Sequence, residues 1–339
     1  CSKPFNNNNN KKLPFLFFEF SSIDWFKSCR INLFSILRDH ANLGSSFCLM
    51  GANISGGSPE FDRNDDVYSR KLRLVDLPEN CVALIMTRLD PPEICRLARL
   101  NRMFRRASSA DFIWESKLPA NYRVIAHKVF DEITLTKLIK KDLYAKLSQP
   151  NLFDDGTKEL WIDKNTGRLC LSISSKALRI TGIDDRRYWS HIPTDESRFQ
   201  SAAYVQQIWW FEVGGEFEIQ FPSGTYSLFF RIQLGKTSKR LGRRICNSEH
   251  IHGWDIKPVR FQLATSDNQQ AVSLCYLNNN PGSWSHYHVG DFKVTNPDVS
   301  TGIKFSMTQI DCTHTKGGLC IDSVLILPKE CAKEVIGSQ

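Results

Sequence analysis

The spacing of apolar residues changes once along the chain. From about residue 74 to residue 147, apolar positions recur at intervals of three and four, as Val82, Ile85, Met86 and Leu89 do, which is typical of helices. After Pro150 they recur at every second position, which is typical of strands with one buried face. The sequence therefore predicts a helical region followed by a β region, with the boundary near residues 148–158.

The first predicted helix is apolar on every side between Cys81 and Met86. A surface helix of a small domain needs only one apolar stripe. The second face must therefore be covered, either by the β region of the same chain or by another protein, and composition favours neither. Asp90-Pro91-Pro92-Glu93 predicts a stop and a new helix start with a capping box. A further helical stretch is predicted from Leu135 to Leu147.

The β region reads as about ten short strands with no helix between them. Phe217, Ile219 and Phe221, for example, alternate with polar residues. Turns are predicted at Gly214-Gly215, Pro222-Ser223-Gly224 and Gly317-Gly318. Many short strands separated by turns predict an antiparallel sandwich or barrel. Trp209-Trp210 would then lie on a strand with one ring in the core, and both residues are interpreted as structural. For Trp254 and Trp284, packing is likewise favoured over ligand contact.

Composition excludes several classes of function. The chain has 339 residues and a formal charge of +8, which is too diffuse to argue for nucleic-acid binding. Its 11 cysteines form no C-x-x-C pair, which favours free thiols in a reducing compartment. His250 and His252, like His286 and His288, share a strand face without further ligands beside them, so surface pairs are favoured over a metal site. No catalytic or cofactor-binding motif is present, and we expect no cofactor.

The N-terminal segment, residues 1–73, is predicted to be disordered or, up to residue 49, mis-annotated, with the natural start at Met50. Its apolar run, LPFLFFEF, is about half of what spans a bilayer. A chain starting at Met50 would place Gly51 in a myristoylation pattern. One acyl chain gives only marginal anchoring, so no stable membrane insertion is expected. Cytoplasm and nucleus are the predicted compartments.

Residues 77–118, LPENCVALIMTRLDPPEICRLARLNRMFRRASSADFIWESKL, resemble an F-box. The resemblance rests on the Leu-Pro start, the apolar helix, the proline step and the late Trp114, in this order and spacing. It implies docking on the adaptor Skp1 and, through Skp1, on a cullin. The residues that would form the Skp1 contact are Leu77, Pro78, Ile85, Leu89, Pro91, Ile94 and Leu97.

The β region resembles the phloem protein 2 domain of plants, which is shared with tobacco-type lectins. Segments that carry the likeness include KELWIDKNTGRLCLSIS, IWWFEVGGEFEI and GGLCIDSVLILP. The resemblance implies recognition of N-acetylglucosamine-containing glycans through the motif L-x-I-T-W-x-D-x-x-x-Y-W-x-W. Tyr188, Trp189 and His191 occupy its last aromatic places and are the predicted carbohydrate contacts. Gly182 replaces the first Trp, which removes much of the stacking surface.

Together these observations predict an α+β multidomain chain, in which a small helical F-box precedes an antiparallel, jelly-roll-like β-sandwich lectin domain. The whole chain resembles the plant F-box proteins of the phloem protein 2 A group. The predicted function is substrate recognition for a Skp1–cullin–F-box ubiquitin ligase, without catalysis by this chain. The alternatives are a stand-alone nucleocytoplasmic lectin or stress protein and, third, a glycan-processing enzyme. The predicted segments are 1–73 (extension), 74–120 (F-box), 121–157 (helical linker), 158–329 (lectin-like sandwich) and 330–339 (tail).

Overall fold

The computed structural model describes residues 77–240, 243–277 and 280–337. The predictions for Met50 and Gly51 lie outside these residues. Seven helices occupy the first part of the described chain, and none of its helices is both long and apolar enough to cross a bilayer. They are α1 (Glu79–Met86), α2 (Pro91–Leu97), α3 (Arg102–Ala107), α4 (Asp111–Glu115), α5 (Tyr122–Val129), α6 (Glu132–Lys137) and α7 (Lys140–Leu147).

The helical region follows the predicted pattern with two differences. Asp90 is the N-cap residue of α2, but its side chain accepts no capping hydrogen bond. The stretch predicted as one helix from Leu135 to Leu147 is broken, because Leu138 and Ile139 adopt extended backbone angles between α6 and α7. Helical spacing alone cannot show this break, because the apolar period continues across it.

The second part of the described chain is an antiparallel β structure, as predicted. Its strands are β1 (Asn151–Phe153), β2 (Lys158–Ile162), β3 (Leu169–Ser174), β4 (Arg179–Ile180), β5 (Trp189–Pro193), β6 (Ser201–Val205), β7 (Phe211–Ile219), β8 (Gly224–Leu234), β9 (Lys236–Arg240), β10 (Arg243–Asn247), β11 (Val259–Thr265), β12 (Gln270–Cys275), β13 (Trp284–Val294), β14 (Thr301–Gln309) and β15 (Leu319–Pro328). The α+β assignment, a helical unit followed by an antiparallel sheet domain, is confirmed.

Two main sheets face each other across the core. In the first, β15 pairs with β8 on one side and with β3 and β6 on the other, and β13, β2, β1 and β5 extend it. The second has the order β12-β11-β14-β7-β4, and β9 and β10 form a separate hairpin. Phe230 of β8 contacts Phe261 and Phe305 of the opposite sheet, with ring centroids 5.8 and 5.9 Å apart. The core therefore lies between the sheets and is rich in aromatic rings.

The turn predicted at Gly214-Gly215 is wrong. The strand β7 runs through both glycines and pairs with β14 along its length. A Cβ atom on Gly215 would lie 2.7 Å from the Phe305 ring, and one on Gly214 would lie 3.0 Å from the Phe305 carbonyl oxygen. The glycines therefore allow the neighbouring strand to approach closely, which is the other common use of glycine inside a strand.

The helical and β regions share one continuous core. The Asn121 side chain donates to the Gln220 carbonyl oxygen at 2.7 Å, which ties the start of α5 to the sheet domain. The C-terminal segment, predicted as a tail, forms a helix, α8 (Lys329–Gly337). Glu330 accepts hydrogen bonds from the Arg168 guanidinium, and Ala332 is buried, so this helix belongs to the sheet domain.

Candidate functional site

The helical unit buries most of the residues that were predicted to contact an adaptor. Ile85, Leu89, Pro91, Ile94 and Leu97 are all buried in the core that the helices share. The packing of short helices explains this burial. The helix α1 packs on α3 and α4. Because each helix has only one or two turns, the apolar residues at helical spacing are used for this internal core. In this arrangement these five side chains expose little surface, and their role as adaptor contacts stays a prediction.

The remaining surface of the helical unit is partly apolar. Of the predicted contacts, Pro78 is exposed and Leu77 is half-buried. Leu84 on the outer side of α1 is 41% exposed, and Leu100, between α2 and α3, is 67% exposed. The second face of α1 is therefore only partly buried by the rest of the chain. Val82, Ala83 and Met86 are buried, whereas Leu84 is exposed to solvent.

A basic surface adjoins these apolar residues. Four exposed arginines lie at intervals of three along α2, α3 and their connection, and a fifth directly follows the last of them. None of the five makes an ion pair with another described residue; they are Arg96, Arg99, Arg102, Arg105 and Arg106. Unpaired surface arginines favour association with an acidic surface and make such association sensitive to salt.

The predicted carbohydrate contacts fall on and beside strand β5. Trp189 is only 1% exposed, stacks on Phe211 with ring centroids 6.1 Å apart, and donates from Nε1 to the Thr181 carbonyl oxygen at 3.1 Å. Its ring therefore fills the core and has no free face for a sugar. The expectation that Trp189 supplies a stacking platform does not agree with this burial.

Tyr188 and His191 are exposed, unlike Trp189. The Arg187 guanidinium lies 5.4 Å from the centre of the Tyr188 ring and pairs with Asp185 at 2.7 Å, and this hydrogen bonding lowers the pKa of Asp185. Partial burial, with a smaller effect from the Lys176 ammonium, lowers the pKa of His191. Gly182 has φ +80°, and a Cβ there would lie in van der Waals contact with the Tyr188 ring, 3.8 Å from its Cδ2 atom.

Two exposed tryptophans lie on a segment that is hydrogen-bonded to Tyr188. The Gln206 amide donates to the Tyr188 carbonyl oxygen at 2.8 Å, and Trp209 and Trp210 follow in the connection from β6 to β7. Trp209 is 51% exposed and Trp210 is 45% exposed, so the prediction that one ring is core is wrong. Strand β7 begins only at Phe211, and the tryptophans precede it in a bend. We call Tyr188, Trp209 and Trp210 the aromatic end.

A buried lysine fixes the aromatic end. Lys316 is fully buried, and its ammonium donates to the carbonyl oxygens of Trp209 and, at 2.7 Å, Asp311. Main-chain hydrogen bonds between Ile208 and Lys316, both 2.8 Å, join the same two segments. Burial lowers the pKa of Lys316, and the carbonyl oxygens compensate the loss of water around its charge. The tryptophan segment is thus held in place by the core.

An open depression of about 460 Å³ lies at the chain neighbours of the aromatic end, Arg187, Gln206 and Gln207, and the three rings themselves do not line it. Its lining is mainly polar and comprises, among others, Arg187, Tyr204, Gln206, Gln207, Lys236 and His250. Exposed rings next to converging hydrogen-bonding groups are the usual elements of a sugar-binding surface, since the apolar face of a sugar rests on a ring while its hydroxyl groups bind the polar side chains. The tryptophans stand out in the sequence as an adjacent pair, whereas no sequence pattern indicates the polar lining.

The histidine pairs form no metal site with other described residues. Among the described residues, no three His, Cys, Asp or Glu side chains lie together as metal ligands. His252 Nδ1 lies 2.9 Å from the His250 carbonyl oxygen, and His288 Nε2 lies 2.9 Å from Asp291 Oδ1. His286 is not on the open surface but half-buried in the outer face of the first sheet.

Comparison with known proteins agrees with the two-part architecture. A family model described as F-box domain matches residues 74–116, and one described as Phloem protein 2 matches residues 168–328. The chain is 57% identical over 297 residues to F-box protein PP2-A12 of Arabidopsis thaliana, covering 87% of this chain and 96% of that protein. It is 56% identical to F-box protein PP2-A11 of the same plant, covering 85% and 98%, respectively.

Solved structures resemble the sheet domain only distantly. One is described as a family 35 carbohydrate binding module from Clostridium thermocellum, with 8% identity and a TM-score of 0.27, covering 46% of this chain and 97% of that chain. Nothing about ligands follows from a likeness at this level.

Proposed function

Because the chain belongs to the plant F-box proteins that carry a phloem protein 2 domain, we propose that it is the substrate-receptor subunit of a Skp1–cullin–F-box ubiquitin ligase. The F-box match carries the proposal. The helical unit docks on Skp1 and thereby on a cullin, the sheet domain holds the substrate, and the chain itself performs no chemistry. Tethering raises the local concentration of the substrate near the transferring enzyme. The proposed compartments are cytoplasm and nucleus.

The Skp1 contact is proposed to use the apolar surface that the helices leave open. Leu77, Pro78, Leu84 and Leu100 form its apolar part, and the exposed arginines of α2 and α3 steer the association. The buried residues Ile85, Leu89, Pro91, Ile94 and Leu97 support this surface from below. Their contribution to docking is therefore indirect.

A double substitution tests the docking surface. Burying a whole leucine side chain contributes roughly 1.5–3 kcal/mol, and Leu84 and Leu100 are about half exposed, so truncating each to alanine should cost about 1 kcal/mol of binding. Leu84→Ala with Leu100→Ala should therefore weaken Skp1 binding by about 30-fold, or 2 kcal/mol, in a calorimetric titration of the full chain.

Leu274→Ala is the matched control, since Leu274 on β12 is 64% exposed but lies in the sheet domain. It should leave Skp1 affinity unchanged. Equal affinity of the wild type and the double variant would contradict the proposed surface, and failure of the wild type to bind Skp1 would contradict the function.

Substrate capture is proposed to occur at the aromatic end, through glycans that contain N-acetylglucosamine. Three exposed rings and the adjoining polar depression support this, whereas the loss of the first motif Trp to Gly182 reduces the resemblance to lectins. Trp209→Ala with Trp210→Ala should weaken the binding of glycans that contain N-acetylglucosamine at least tenfold on a glycan array. The stand-alone lectin is the second candidate, favoured by the same rings, and it predicts glycan binding by a chain that never associates with Skp1 in plant extracts.

A further inference from the structure

A second depression lies on the outer face of the first sheet, built on different strands from the aromatic end. Its volume is about 310 Å³, at the lower limit of ordinary ligand pockets. Strands β2, β3, β8, β13 and β15 form the floor, and Glu196 and Arg198 from the β5–β6 connection form the rim. No residue of the lectin motif lines it.

The floor depends on an irregularity in β15. The register between β15 and β8 shifts between Ile321 and Ser323, so Asp322 is the extra residue of a β-bulge. A bulge lets two successive residues serve one face of a sheet, and bulges occur often beside functional sites. Here both Asp322 and Ser323 line the depression. Regular alternation would have sent one of them into the apolar core.

Asp322 has one carboxylate oxygen without a partner. Its Oδ2 accepts from Arg231 Nη1 at 2.6 Å and from Ser323 Oγ at 2.8 Å, whereas Oδ1 is buried and has no hydrogen-bond partner. The whole residue is 2% exposed. A buried carboxylate oxygen is costly unless a donor reaches it. Since Asp322 lines the depression, a ligand that enters there is the natural source of that donor.

The guanidinium groups of the depression are already paired with carboxylates. Arg231 pairs with Asp322 at 2.6 Å, and Arg198 pairs with the buried Glu159 at 2.9 Å. His286 lies directly opposite Arg231 in the β13–β8 pair, and burial with the nearby guanidinium lowers its pKa to about 4, so it is neutral at pH 7. An anionic ligand would have to compete with these carboxylates for the guanidinium groups, and any charged ligand would lose its hydration. A neutral ligand avoids this cost.

The lining also has an apolar side. Trp161 is half-buried, with the Arg198 guanidinium 4.9 Å from its ring centre, and Leu325 and Leu327 lie beside it. A ligand that fits must therefore combine an apolar face with several neutral hydroxyl donors and acceptors. A pyranose ring has this chemistry.

We propose that this depression is a second saccharide site, in which Asp322 accepts a hydrogen bond from a hydroxyl group of a neutral pyranose. The site is independent of the F-box surface, and it is separate from the aromatic end.

The test is a ligand-observed NMR titration of the full chain with methyl glycosides of glucose, galactose, mannose and N-acetylglucosamine. Methyl glucuronide and methyl glucosaminide serve as the charged counterparts. At least one neutral glycoside should bind saturably, and it should bind more tightly than both charged sugars. Asp322→Asn should weaken it at least tenfold, because the charged acceptor is lost. Leu325→Trp, which adds a large ring at the apolar side of the depression and keeps Asp322 and Arg231, should abolish it.

The titration is repeated in the Trp209→Ala, Trp210→Ala background, which removes the binding proposed for the aromatic end, so that the binding that remains belongs to this depression. Thermal unfolding of each variant shows whether it is folded; if Asp322→Asn is not, Leu325→Trp decides. The proposal is overturned if no neutral glycoside binds in that background, if a charged sugar binds more tightly, or if a folded Leu325→Trp variant keeps the binding. Loss of Skp1 binding or of glycan-array binding has no bearing on this result.

Discussion

The role of Trp189 can be decided by separating stability from ligand binding. Its indole ring is buried between the sheets, stacks on Phe211, and donates one hydrogen bond to the Thr181 carbonyl oxygen. Replacing a buried tryptophan by alanine removes its transfer free energy and leaves a cavity, which typically costs about 3–5 kcal/mol. We therefore expect Trp189→Ala to destabilise the sheet domain by that amount.

The expected change is easily measured. For a domain of this size, each kcal/mol lowers the midpoint of thermal unfolding by about 2–4 °C, so Trp189→Ala should lower it by roughly 6–20 °C. Trp189→Phe, which keeps an aromatic ring against Phe211, should have a smaller effect. Trp209→Ala is the surface control, and should change stability by less than about 0.5 kcal/mol, as surface substitutions usually do.

Glycan binding supplies the second readout. Below its own unfolding temperature, Trp189→Ala should keep glycan affinity to the extent that it stays folded, whereas Trp209→Ala should lose affinity without losing stability. A Trp189→Ala protein that unfolds like the wild type but no longer binds glycans would refute the reasoning. It would show that the ring is a ligand platform and that the core does not depend on it.

Two further predictions concern buried residues. His286 has a folded-state pKa of about 4, below its ordinary value because of burial and, to a smaller extent, Arg231. On acidification the unfolded chain therefore binds a proton at this residue before the folded chain does, so lowering the pH from 6.5 to 4 should lower the free energy of unfolding by up to roughly 3 kcal/mol. In chemical denaturation, His286→Gln should show a flatter dependence of this free energy on pH than the wild type. An identical dependence would contradict the prediction. Leu89→Asp should unfold the helical unit, because it places a charge in the core of that unit. Leu84→Asp, on the surface, should keep wild-type helicity in circular dichroism and lose Skp1 binding. Unchanged helicity in Leu89→Asp would argue against the shared core.

The large features of the fold were predictable because each depends on a repeating pattern. The change from helical to alternating spacing located the two regions, and α1 and α2 lie where the stripe and the proline step indicate. The errors arose where one residue type has two uses. Gly214-Gly215 has the composition of a turn, but the lack of side chains there allows the close approach of Phe305 on the neighbouring strand. Periodicity contains no information about what lies on the next strand.

The sequence indicated which residue types the candidate sites contain, but not which of their side chains are exposed to solvent. The adjacent tryptophans at 209 and 210 stood out in the sequence, yet their exposure follows from the bend before β7 and from the buried ammonium of Lys316, which is distant in sequence from both. Trp189 occupies a motif position, but its ring is buried in the core between the sheets. Position in a motif therefore predicted where a functional segment lies, and tertiary packing determined which of its side chains face solvent.

The β-bulge at Asp322 shows why the outer depression could not have been found in the sequence. In LCIDSVLIL, strict alternation places either Asp322 or Ser323 on the core side, and an aspartate there would be an uncompensated buried charge. The bulge turns both residues outward, and Arg231, remote in sequence, then supplies the ion pair. An acidic residue inside an otherwise apolar strand was thus the one visible signal. It indicates that the strand departs from regular pairing at that point, and that the cost of burying the carboxylate is met by partners on other strands or by a ligand.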